Sequence, residues 1–459
     1  MSPTSNLAAR LEEAAGVRNT VSAPEELVAY AVDGLSPAVI ARPSCTEEVA
    51  EVVKFAIAEK LKIVPLGSRS KCDIGMAPTR YDIALDMTGL REIAHYDAGD
   101  LTLSIDAGKP LREVEEFLRG HGQFLPLAVP CFESTTAAGT IASGIDSVLR
   151  QQYGTARDFL IGAEFVDGKG QLCKSGGRVV KNVTGYDLHK LLIGSLGTLG
   201  VITRVNFRTY PMPAISAGHL ATFSTSAAAR EYRKMLAKAG VPLTNLEIIS
   251  PEAGKMIRAI LQRGEQPIPA ILQEASWWAY ASFEGAEVVV KRISRELEKF
   301  ARGAGSRNLE LLEGAADEAV GGMLREGFEW LRWAAEATVL YRLAMCGDPS
   351  EGIAALSQRA ESLGVRSALL LRSCGIVYFA IFADSEEEII EPAQALKSIA
   401  ASSTGSLGGH STVLHAPLKA KLRILEGQGE QKRQQLQLRV KKAFDPAGIF
   451  VPGRVVGEI

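Results

Sequence analysis

Residues 177–187, GRVVKNVTGYD, run directly into residues 188–203, LHKLLIGSLGTLGVIT, and this stretch decides how the chain is interpreted. Gly194, Gly197 and Gly200 recur at every third position between apolar residues. Glycine lacks a Cβ and adopts positive φ, so the backbone here can lie flush against a flat or phosphorylated ligand. A tight turn that leads from a helix end into a strand over 201–208 explains the pattern equally well. This stretch alone leaves both interpretations open.

The composition indicates a globular enzyme of two or three domains, because 459 residues exceed what one hydrophobic core usually serves. Hydrophobic residues make up 46% and charged residues 23% of the chain, and the formal net charge is -2. These values give no electrostatic preference for a polyanion. We therefore expect no nucleic-acid partner.

The cysteines and the apolar segments point to the cytoplasm. Residues 1–10 lack the basic segment and apolar core of an export signal. The most apolar run, 368–383, is interrupted by Arg372, which favours a buried strand over a membrane span. We expect a cytoplasmic protein that reaches a membrane only through partners. The cysteines form no Cys-x-x-Cys pair, so we predict neither an iron–sulfur cluster nor a zinc site; they are Cys45, Cys72, Cys131, Cys173, Cys346 and Cys374.

Strand and helix patterns alternate through the first 210 residues and predict a mixed α+β domain. Residues 37–65 predict strand, helix and strand, with Ser44 or Thr46 as the helix N-cap. Further predicted elements are strands over 82–87, 101–107 and 162–166 and a helix over 111–120.

Two prolines, Pro211 and Pro213, mark a change of pattern. Beyond them, amphipathic helices over 227–239 and 288–303 alternate with strands such as 279–283 and 377–382, which predicts a second α+β domain. A charged helix over 418–444 precedes the closing segment. The predicted division is residues 1–212, 213–408 and 409–459.

Two polar segments could hold a ligand. Residues 65–71, PLGSRSK, follow a predicted strand, and their amide and hydroxyl groups could hold a diphosphate, although an ordinary surface turn has the same composition. Residues 135–144, TTAAGTIASG, consist of small and hydroxyl residues without helical or strand periodicity. Two such segments in one domain suggest a single extended ligand.

These segments together resemble the FAD-binding segments of the vanillyl-alcohol oxidase and p-cresol methylhydroxylase superfamily. Residues 65–71, 136–144, 153–155, 177–191, 194–203 and 444–454 match in order and spacing. Within the superfamily, residues 180–191 and the closing FDPAGIF resemble the FAD-binding E subunits of glycolate oxidase, also called glycolate dehydrogenase. The resemblance is close over the amino-terminal half and recognisable in the closing segment. Over residues 213–400 only the general pattern of helices and strands is similar.

The resemblance implies an α+β fold: a two-lobed FAD-binding domain, an α+β cap, and a carboxyl-terminal tail that returns to the FAD domain. It implies noncovalent FAD, since residues 67–71 offer no histidine, cysteine or tyrosine for attachment. In the family, the loop at 67–71 wraps the diphosphate and the segment at 136–143 runs beside it. The implied cofactor-binding residues are Pro65, Gly67, Ser68, Arg69, Ser70, Lys71, Pro130, Thr136, Gly139, Thr140, Ala142, Ser143, Tyr153, Gly154, Gly197, Gly200 and Ile202.

The sequence departs from the family pattern at three places. Ser68 and Arg69 stand where the family loop usually has glycines, so either the loop is wider or Arg69 turns outward or pairs with phosphate. Val451 replaces an asparagine before Pro-Gly and removes a hydrogen-bonding group near the flavin. Residues 145–147 replace some of the family's small residues.

The implied reaction is FAD-dependent oxidation of a 2-hydroxy acid, glycolate to glyoxylate. It requires a base near the α-carbon and a cation for the carboxylate. By analogy His410, with His415 nearby, is the candidate base, although a histidine beside glycines is often a turn residue. Arg342 and Arg372 are candidate carboxylate binders, with a buried ion pair or a snorkelling surface arginine as the alternative. The family's metal-binding histidine pair is not recognisable, so we predict no metal.

The resemblance also implies partners. Electrons would pass from the flavin toward an iron–sulfur subunit, in a complex that also contains a catalytic flavoprotein subunit and lies in the cytoplasm or peripherally at the inner membrane. Two alternatives stay open: a self-sufficient dehydrogenase of D-lactate or another 2-hydroxy acid, and a non-catalytic flavin-binding assembly subunit.

Overall fold

The computed structural model describes residues 3–178, 185–264, 269–273, 276–345, 350–372, 374–403, 410–425 and 431–454. In the amino-terminal part, strands and helices alternate as the apolar pattern predicts. The strands are β1 (Thr20–Val21), β2 (Val39–Ala41), β3 (Ile63–Leu66), β4 (Ile83–Asp86), β5 (Ile93–Asp97), β6 (Thr102–Asp106), β7 (Gln123–Phe124), β8 (Leu160–Val166), β9 (Leu172–Gly176), β10 (Val201–Arg208) and β11 (Tyr210–Pro211). The helices are α1 (Pro3–Ala15), α2 (Pro24–Val28), α3 (Thr46–Ala58), α4 (Leu111–Arg119), α5 (Ala137–Ser143), α6 (Arg150–Tyr153) and α7 (Ala156–Phe159), with 3-10 turns at Met87–Gly89 and Leu188–Leu191.

These elements build two lobes. The first lobe is a four-stranded sheet in the order β1-β2-β4-β3, in which β4 runs parallel to β2 and β3. The second is a five-stranded antiparallel sheet in the order β5-β6-β10-β8-β9. The two-lobed α+β arrangement expected of the FAD-binding domain is confirmed.

Residues 215–415 form the cap, whose elements continue the numbering. The strands are β12 (Ile215–Phe223), β13 (Asn245–Ile249), β14 (Trp277–Gly285), β15 (Asn308–Leu312), β16 (Ala337–Ala344), β17 (Arg366–Arg372), β18 (Ile376–Ala383) and β19 (His410–His415). The helices are α8 (Ser226–Ala239), α9 (Pro251–Arg263), α10 (Glu287–Gly303), α11 (Ala315–Arg325), α12 (Gly327–Arg332), α13 (Ser350–Ser362) and α14 (Glu386–Ser403), with a 3-10 turn at Ala270–Gln273.

The cap strands form one eight-stranded antiparallel sheet in the order β15-β12-β14-β13-β17-β18-β16-β19. Because side chains alternate along a strand, each strand buries one set against each face. Tyr341 and Leu343 belong to the core beneath the cap helices, whereas Leu340 and Tyr378 belong to a core shared with the FAD domain. The cap is therefore joined to the FAD domain through the inner face of its sheet, which confirms the expected second α+β domain.

The carboxyl-terminal tail returns to the FAD domain, as expected. Helices α15 (Leu418–Leu425) and α16 (Gln431–Phe444) precede it; the predicted helix over 418–444 includes residues 426–430, which lie outside the described residues. Phe450 forms a parallel bridge with Ile63, and the N–H of Val451 donates to Ile63 O at 2.9 Å. The ammonium of Lys441 bonds Asp445 at 2.7 Å and the carbonyl of Phe450 at 2.8 Å. The tail thus extends the sheet beside β3.

Residues 135–144 contain a helix that their sequence, without helical or strand periodicity, did not indicate. Residues 137–143 form α5, because Thr136 caps its first turn through Oγ1, which accepts from the N–H of Gly139, and Gly144 ends it at a φ of 61°. Small residues carry little periodic signal, but they permit a helix that is buried on nearly every side.

Among the described residues, no helix combines the length and hydropathy needed to cross a bilayer.

Candidate FAD site

Four of the segments singled out in the sequence, 65–71, 136–144, 194–203 and 444–454, meet in one cleft of the FAD domain, with an empty volume of about 840 Å³ that includes open solvent. The cleft is lined by the loop after β3, by α5, by the glycine turn before β10 and by the tail. Its lining includes the predicted residues Pro65, Gly67, Ser68, Arg69, Ser70, Lys71, Thr136, Gly139, Ala142, Ser143, Gly197, Gly200 and Ile202.

The loop after β3 offers free donors to the cleft. The backbone N–H groups of Ser68, Arg69, Ser70 and Lys71 donate to no acceptor among the described residues. Gly67 lies against Thr136 so closely that a Cβ there would come within 2.2 Å of the threonine Oγ1. Only glycine therefore lets this loop lie on the first turn of α5. A row of unpaired amides beside a helix N-terminus suits a diphosphate.

Lys71 places a buried ammonium group on the wall of the cleft. Its side chain is 8% exposed, and its Nζ bonds Thr135 Oγ1 at 2.6 Å and Ser70 Oγ at 3.3 Å. Burial lowers the pKa of Lys71 to about 8. No salt bridge to a carboxylate is formed by Lys71 among the described residues, although the charges of Glu326 and Glu329 act on its ammonium group.

Arg69 shows how a residue other than glycine fits the family loop. Its φ is +64°, the left-handed conformation that glycine adopts at no steric cost. Its guanidinium lies 4.1 Å from the ring centre of Tyr30, a cation–π contact. Tyr30 is itself held by its hydroxyl, which donates to Asp86 at 2.6 Å. The backbone course of a glycine loop is kept, and the arginine side chain is held by stacking on Tyr30.

Both interpretations of the opening stretch apply to the glycine turn: it leads into β10, and part of it lines the cleft. Gly194, Gly197 and Gly200 have φ values of 74°, 76° and 159°. Gly197 and Gly200 line the cleft, whereas Gly194 packs on α5, where a Cβ on Gly144 would lie 2.9 Å from its Cα. In the neighbouring motif, residues 179–184 lie outside the described residues, and Tyr186 is 90% exposed.

Val451 and Arg454 close the cleft from the tail. Val451 has a φ of +42° although it is β-branched, a backbone conformation that the family's asparagine tolerates better. The Arg454 guanidinium bonds the carbonyls of Met76, at 2.8 Å, and Cys72, and reaches Asp33 at 3.3 Å. These bonds fasten the tail to the loop that bears Lys71.

Four predicted cofactor residues lie off the cleft. Thr140 is buried behind it, with its hydroxyl 3.2 Å from that of Thr135. Pro130 is buried next to Cys131. The N–H of Cys131 donates to the carboxylate of Glu326, a residue of the cap domain, at 2.5 Å. The Tyr153 hydroxyl donates to Glu284 on β14, and Gly154 follows at a φ of 81°. Pro130, Tyr153 and Gly154 thus lie where the FAD domain contacts the cap, and their roles stay predictions.

The three predicted catalytic residues lie in the cap. Arg342 on β16 donates to Asp146, and Arg372 on β17 donates to Glu247 at 2.9 Å while lying 4.7 Å from the ring centre of Tyr378. Arg372 is fully buried, and it forms the buried ion pair that was the alternative to a substrate-binding role. His410 is exposed at the start of β19, opposite Ala344. The structure therefore does not bring these residues together at the cleft.

An interdomain cluster was not recognised in the sequence. His415 Nδ1 lies 2.6 Å from Asp73, two residues after Lys71, and Arg332 of α12 bonds the other oxygen of Asp73 at 3.0 Å. Burial raises the pKa of Asp73, but the hydrogen bond from His415 and the charge of Arg332 lower it overall. Nothing in the local sequence relates positions 73, 332 and 415, because only the fold makes them neighbours.

The residues present fit an FAD molecule: unpaired amides, a buried ammonium group and glycine-lined walls are the donor set that a dinucleotide diphosphate requires. Among the described residues, no group of three or more histidine, cysteine or acidic side chains could hold a metal ion. The prediction of no metal concerns the whole chain and stays a prediction.

Comparison with known families agrees with this geometry. Residues 37–176 match the model of the FAD binding domain, and residues 213–455 match that of the C-terminal domain of FAD linked oxidases. The second match alone spans more than half of the chain.

Curated relatives resemble the chain at low identity. It is 25% identical over 433 residues to the mitochondrial D-lactate dehydrogenase [cytochrome] of Arabidopsis thaliana. The alignment covers 92% of this chain and 73% of that protein. It is 37% identical over 172 residues to glycolate oxidase subunit GlcE of Escherichia coli, which covers 37% of this chain and about half, 49%, of that subunit.

Solved structures share the fold. The chain superposes on p-cresol methylhydroxylase with substrate bound at a TM-score of 0.77 and 17% identity, covering 100% of this chain and 97% of that one. At that identity the likeness shows the architecture alone.

Proposed function

Since this chain belongs to the FAD-linked oxidases, we propose that it oxidises a small 2-hydroxy acid, glycolate to glyoxylate, as the FAD-binding subunit of a glycolate dehydrogenase. The chain is an FAD-dependent oxidoreductase, and D-lactate and glycolate appear in the names of its relatives. The choice of glycolate rests on the similarity of 172 residues of the chain to the GlcE subunit and on the motif at 180–191.

The observation that carries this proposal is the single cleft in which the loop at 67–71, α5, the glycine turn and the tail converge. Segments nearly 400 residues apart in sequence, from Gly67 to Arg454, contribute to it. Unpaired amides and the Lys71 ammonium give the cleft an excess of donors, which favours an anionic ligand.

FAD, when bound, supplies the hydride acceptor. The amides of Ser68–Lys71 and the Lys71 ammonium would hold the diphosphate, and Gly197 and Gly200 would let the backbone approach the cofactor. The Arg454 guanidinium holds the tail against the loop. The substrate would enter between the FAD domain and the inner face of the cap sheet.

We propose that the chain acts in a cytoplasmic complex, peripheral to the inner membrane, that contains a catalytic flavoprotein subunit and an iron–sulfur subunit. One relative, 37% identical over 172 residues, is named as a glycolate oxidase subunit. Among the described residues, no cysteine cluster could hold iron and sulfur, so electrons would leave the flavin for a separate acceptor.

A second candidate, a flavin-binding subunit without catalysis of its own, is favoured by one observation. The Arg342 and Arg372 guanidinium groups, predicted to bind a substrate carboxylate, bind Asp146 and Glu247 of the chain itself. A self-sufficient D-lactate dehydrogenase is the remaining alternative.

The test is to purify the full chain, alone and coexpressed with its complex, and record the visible absorbance of bound flavin before and after glycolate or D-lactate is added without oxygen. The Lys71→Met variant serves as the cofactor-binding control, because it removes the ammonium but keeps most of the side-chain volume. We expect the wild type to be yellow and the variant to bind FAD more weakly.

Bleaching by glycolate only in the complex would support the subunit assignment, and bleaching of the isolated chain would favour a self-sufficient enzyme. Colour without bleaching in both preparations would favour the non-catalytic role. A colourless wild type that does not take up added FAD would refute the proposal.

A further inference from the structure

Asp146 is a buried carboxylate held between two arginines where the FAD domain meets the cap. Its Oδ1 accepts from Arg150 Nη1, and its Oδ2 accepts from Arg342 Nε. The Asp146 side chain is 4% exposed, whereas those of Arg150 and Arg342 are 28% and 18% exposed. Arg150 belongs to α6 of the FAD domain and Arg342 to β16 of the cap, so this carboxylate bridges the two domains.

The arginines outnumber the carboxylates around Asp146. Arg372 Nη1 lies 3.4 Å from the backbone oxygen of Asp146, but its salt bridge is with Glu247 at 2.9 Å. Arg150 and Arg342 therefore have Asp146 as their one carboxylate partner among the described residues. Arg342 donates through Nε alone and leaves both terminal nitrogens without an acceptor there. Two guanidinium groups aimed at one carboxylate form a typical carboxylate-binding arrangement.

The segment that carries Asp146 and Arg150 follows directly on α5, which forms one wall of the cleft. Ser143 lines the cleft, Gly144 ends α5 in the left-handed conformation, and Asp146 follows two residues later. Burial raises the pKa of Asp146, but the charges of Arg342 and Arg150 lower it overall, so the group is an anion near neutral pH.

We propose that Arg150 and Arg342 form a binding site for a small carboxylate, and that Asp146 occupies this site as an internal ligand. The inference rests on the proposed function, because the carboxylate would be that of the 2-hydroxy acid. A substrate carboxylate reaches the two arginines only by displacing Asp146, so this conformation is closed to it. Movement of α6 against β16 would open the site.

Chemical rescue tests the inference. Asp146→Ala leaves a carboxylate-sized space between two uncompensated guanidinium groups, and we expect its Tm to fall by roughly 5 °C or more. Acetate or glycolate should restore several degrees in a saturable manner, since a ligand that binds only the folded state stabilises it. Sodium chloride at equal ionic strength should not. The wild type, already occupied, should respond to neither.

Two matched variants control for general effects. Asp146→Asn is neutral but fills the space, so acetate should not raise its Tm. Asp317→Ala removes another buried carboxylate, one bonded to Tyr280 at 2.8 Å with no arginine salt bridge among the described residues, and acetate should not raise its Tm either. An equal acetate response in Asp146→Ala and Asp317→Ala, or none in Asp146→Ala, overturns the inference.

If Asp146→Ala is recovered only as insoluble protein, refolding yields of Asp146→Ser in acetate and in chloride are compared, and equal yields overturn the inference. Acetate carries no hydroxyl to oxidise, so its effect reports the anion site whatever the flavin does. Bleaching of the wild-type complex by glycolate without any rescue of the variant would leave the proposed function standing and this inference refuted.

Discussion

At the scale of single residues, the site depends on backbone conformations that few side chains adopt. Arg69 and Val451 both have positive φ, at 64° and 42°, and both line the cleft. Stacking on Tyr30 holds Arg69 in place, while burial in the core of the FAD domain holds Val451. Neighbouring contacts thus offset local strain of about 1–2 kcal/mol at each position.

Val451→Asn should therefore change the free energy of unfolding by less than about 1 kcal/mol, since relief of the left-handed strain offsets the lost apolar burial. Val64→Asn is the matched control, because Val64 also lines the cleft but lies in β3, where substitution relieves no such strain. It should cost about 3 kcal/mol. Denaturant titration of both variants measures this, and equal losses would contradict the explanation.

The Lys71 ammonium should make FAD binding depend on pH. The pKa of this lysine in the free chain is about 8, and an anionic diphosphate favours the protonated form. The affinity should be constant below pH 8 and weaken above it, approaching about tenfold per pH unit. Flavin fluorescence titrations from pH 6 to pH 10 measure this. Lys71→Met should bind more weakly with no such slope, and a slope retained in the variant would assign it to another group.

At the scale of elements, α5 determines where the diphosphate loop and the glycine turn lie. Its Thr136 cap contacts Gly67, and Gly194 N–H and Leu196 N–H donate to the carbonyls of Ile141 and Ala142 at 2.9 and 2.8 Å. A seven-residue helix is too short to be stable in isolation, so packing and capping hold it. The same capping group thus stabilises the helix and shapes the cleft.

Thr136→Ala should lower the free energy of unfolding by about 1 kcal/mol through the lost N-cap, and it should also weaken FAD binding. Thr225→Ala is the matched control, because Thr225 caps α8 in the cap by accepting from Ala228 N–H at 3.2 Å. It should cost the same stability and leave FAD affinity unchanged. Denaturation and FAD titration separate the two effects, and unchanged affinity in Thr136→Ala would show that the cap is purely structural.

At the scale of the whole molecule, polar groups on the inner face of the cap sheet join the two domains. Asp146 with Arg342, Tyr153 with Glu284, and His415 with Asp73 each bring a group of the FAD domain to a cap strand. Deeper in the cap, Asp317 accepts from the Tyr280 hydroxyl at 2.8 Å, and burial raises its pKa to about 6. Some buried groups thus have a raised pKa and others a lowered one, so they should make the stability change with pH in opposite directions.

For Asp317 the folded-state pKa of about 6 exceeds the unfolded value near 3.9, so its contribution is fully present below that lower value and is lost as the pH rises through 6. Asp317→Asn keeps an oxygen acceptor for Tyr280 and does not ionise. Between pH 4 and pH 7 the variant should gain about 2–3 kcal/mol in unfolding free energy relative to the wild type. Denaturant titrations at intervals of pH measure the difference, and parallel curves would contradict it.

The sequence alone predicted the α+β class, the FAD-binding resemblance and the segments that meet at the cleft, because glycines and short polar loops are local signals. It did not reveal α5, since small residues give no periodicity. It also placed the N-cap of α3 at Ser44 or Thr46, whereas Cys45 holds that position. The Glu48 carboxylate accepts from the N–H of Ser44 at 2.6 Å. The predicted Arg342 and Arg372 both bind carboxylates, but those of Asp146 and Glu247.

By itself, then, the sequence determined which backbone segments could approach a dinucleotide, because steric freedom at glycine and donor chemistry are properties of the residues. Only the tertiary structure decided which charges meet. Asp73 with His415, and Asp146 with Arg342, are separated by 342 and 196 positions. Whether a buried arginine faces substrate or another residue of its own chain depends on which carboxylate the fold brings within hydrogen-bonding distance, and no local pattern encodes that.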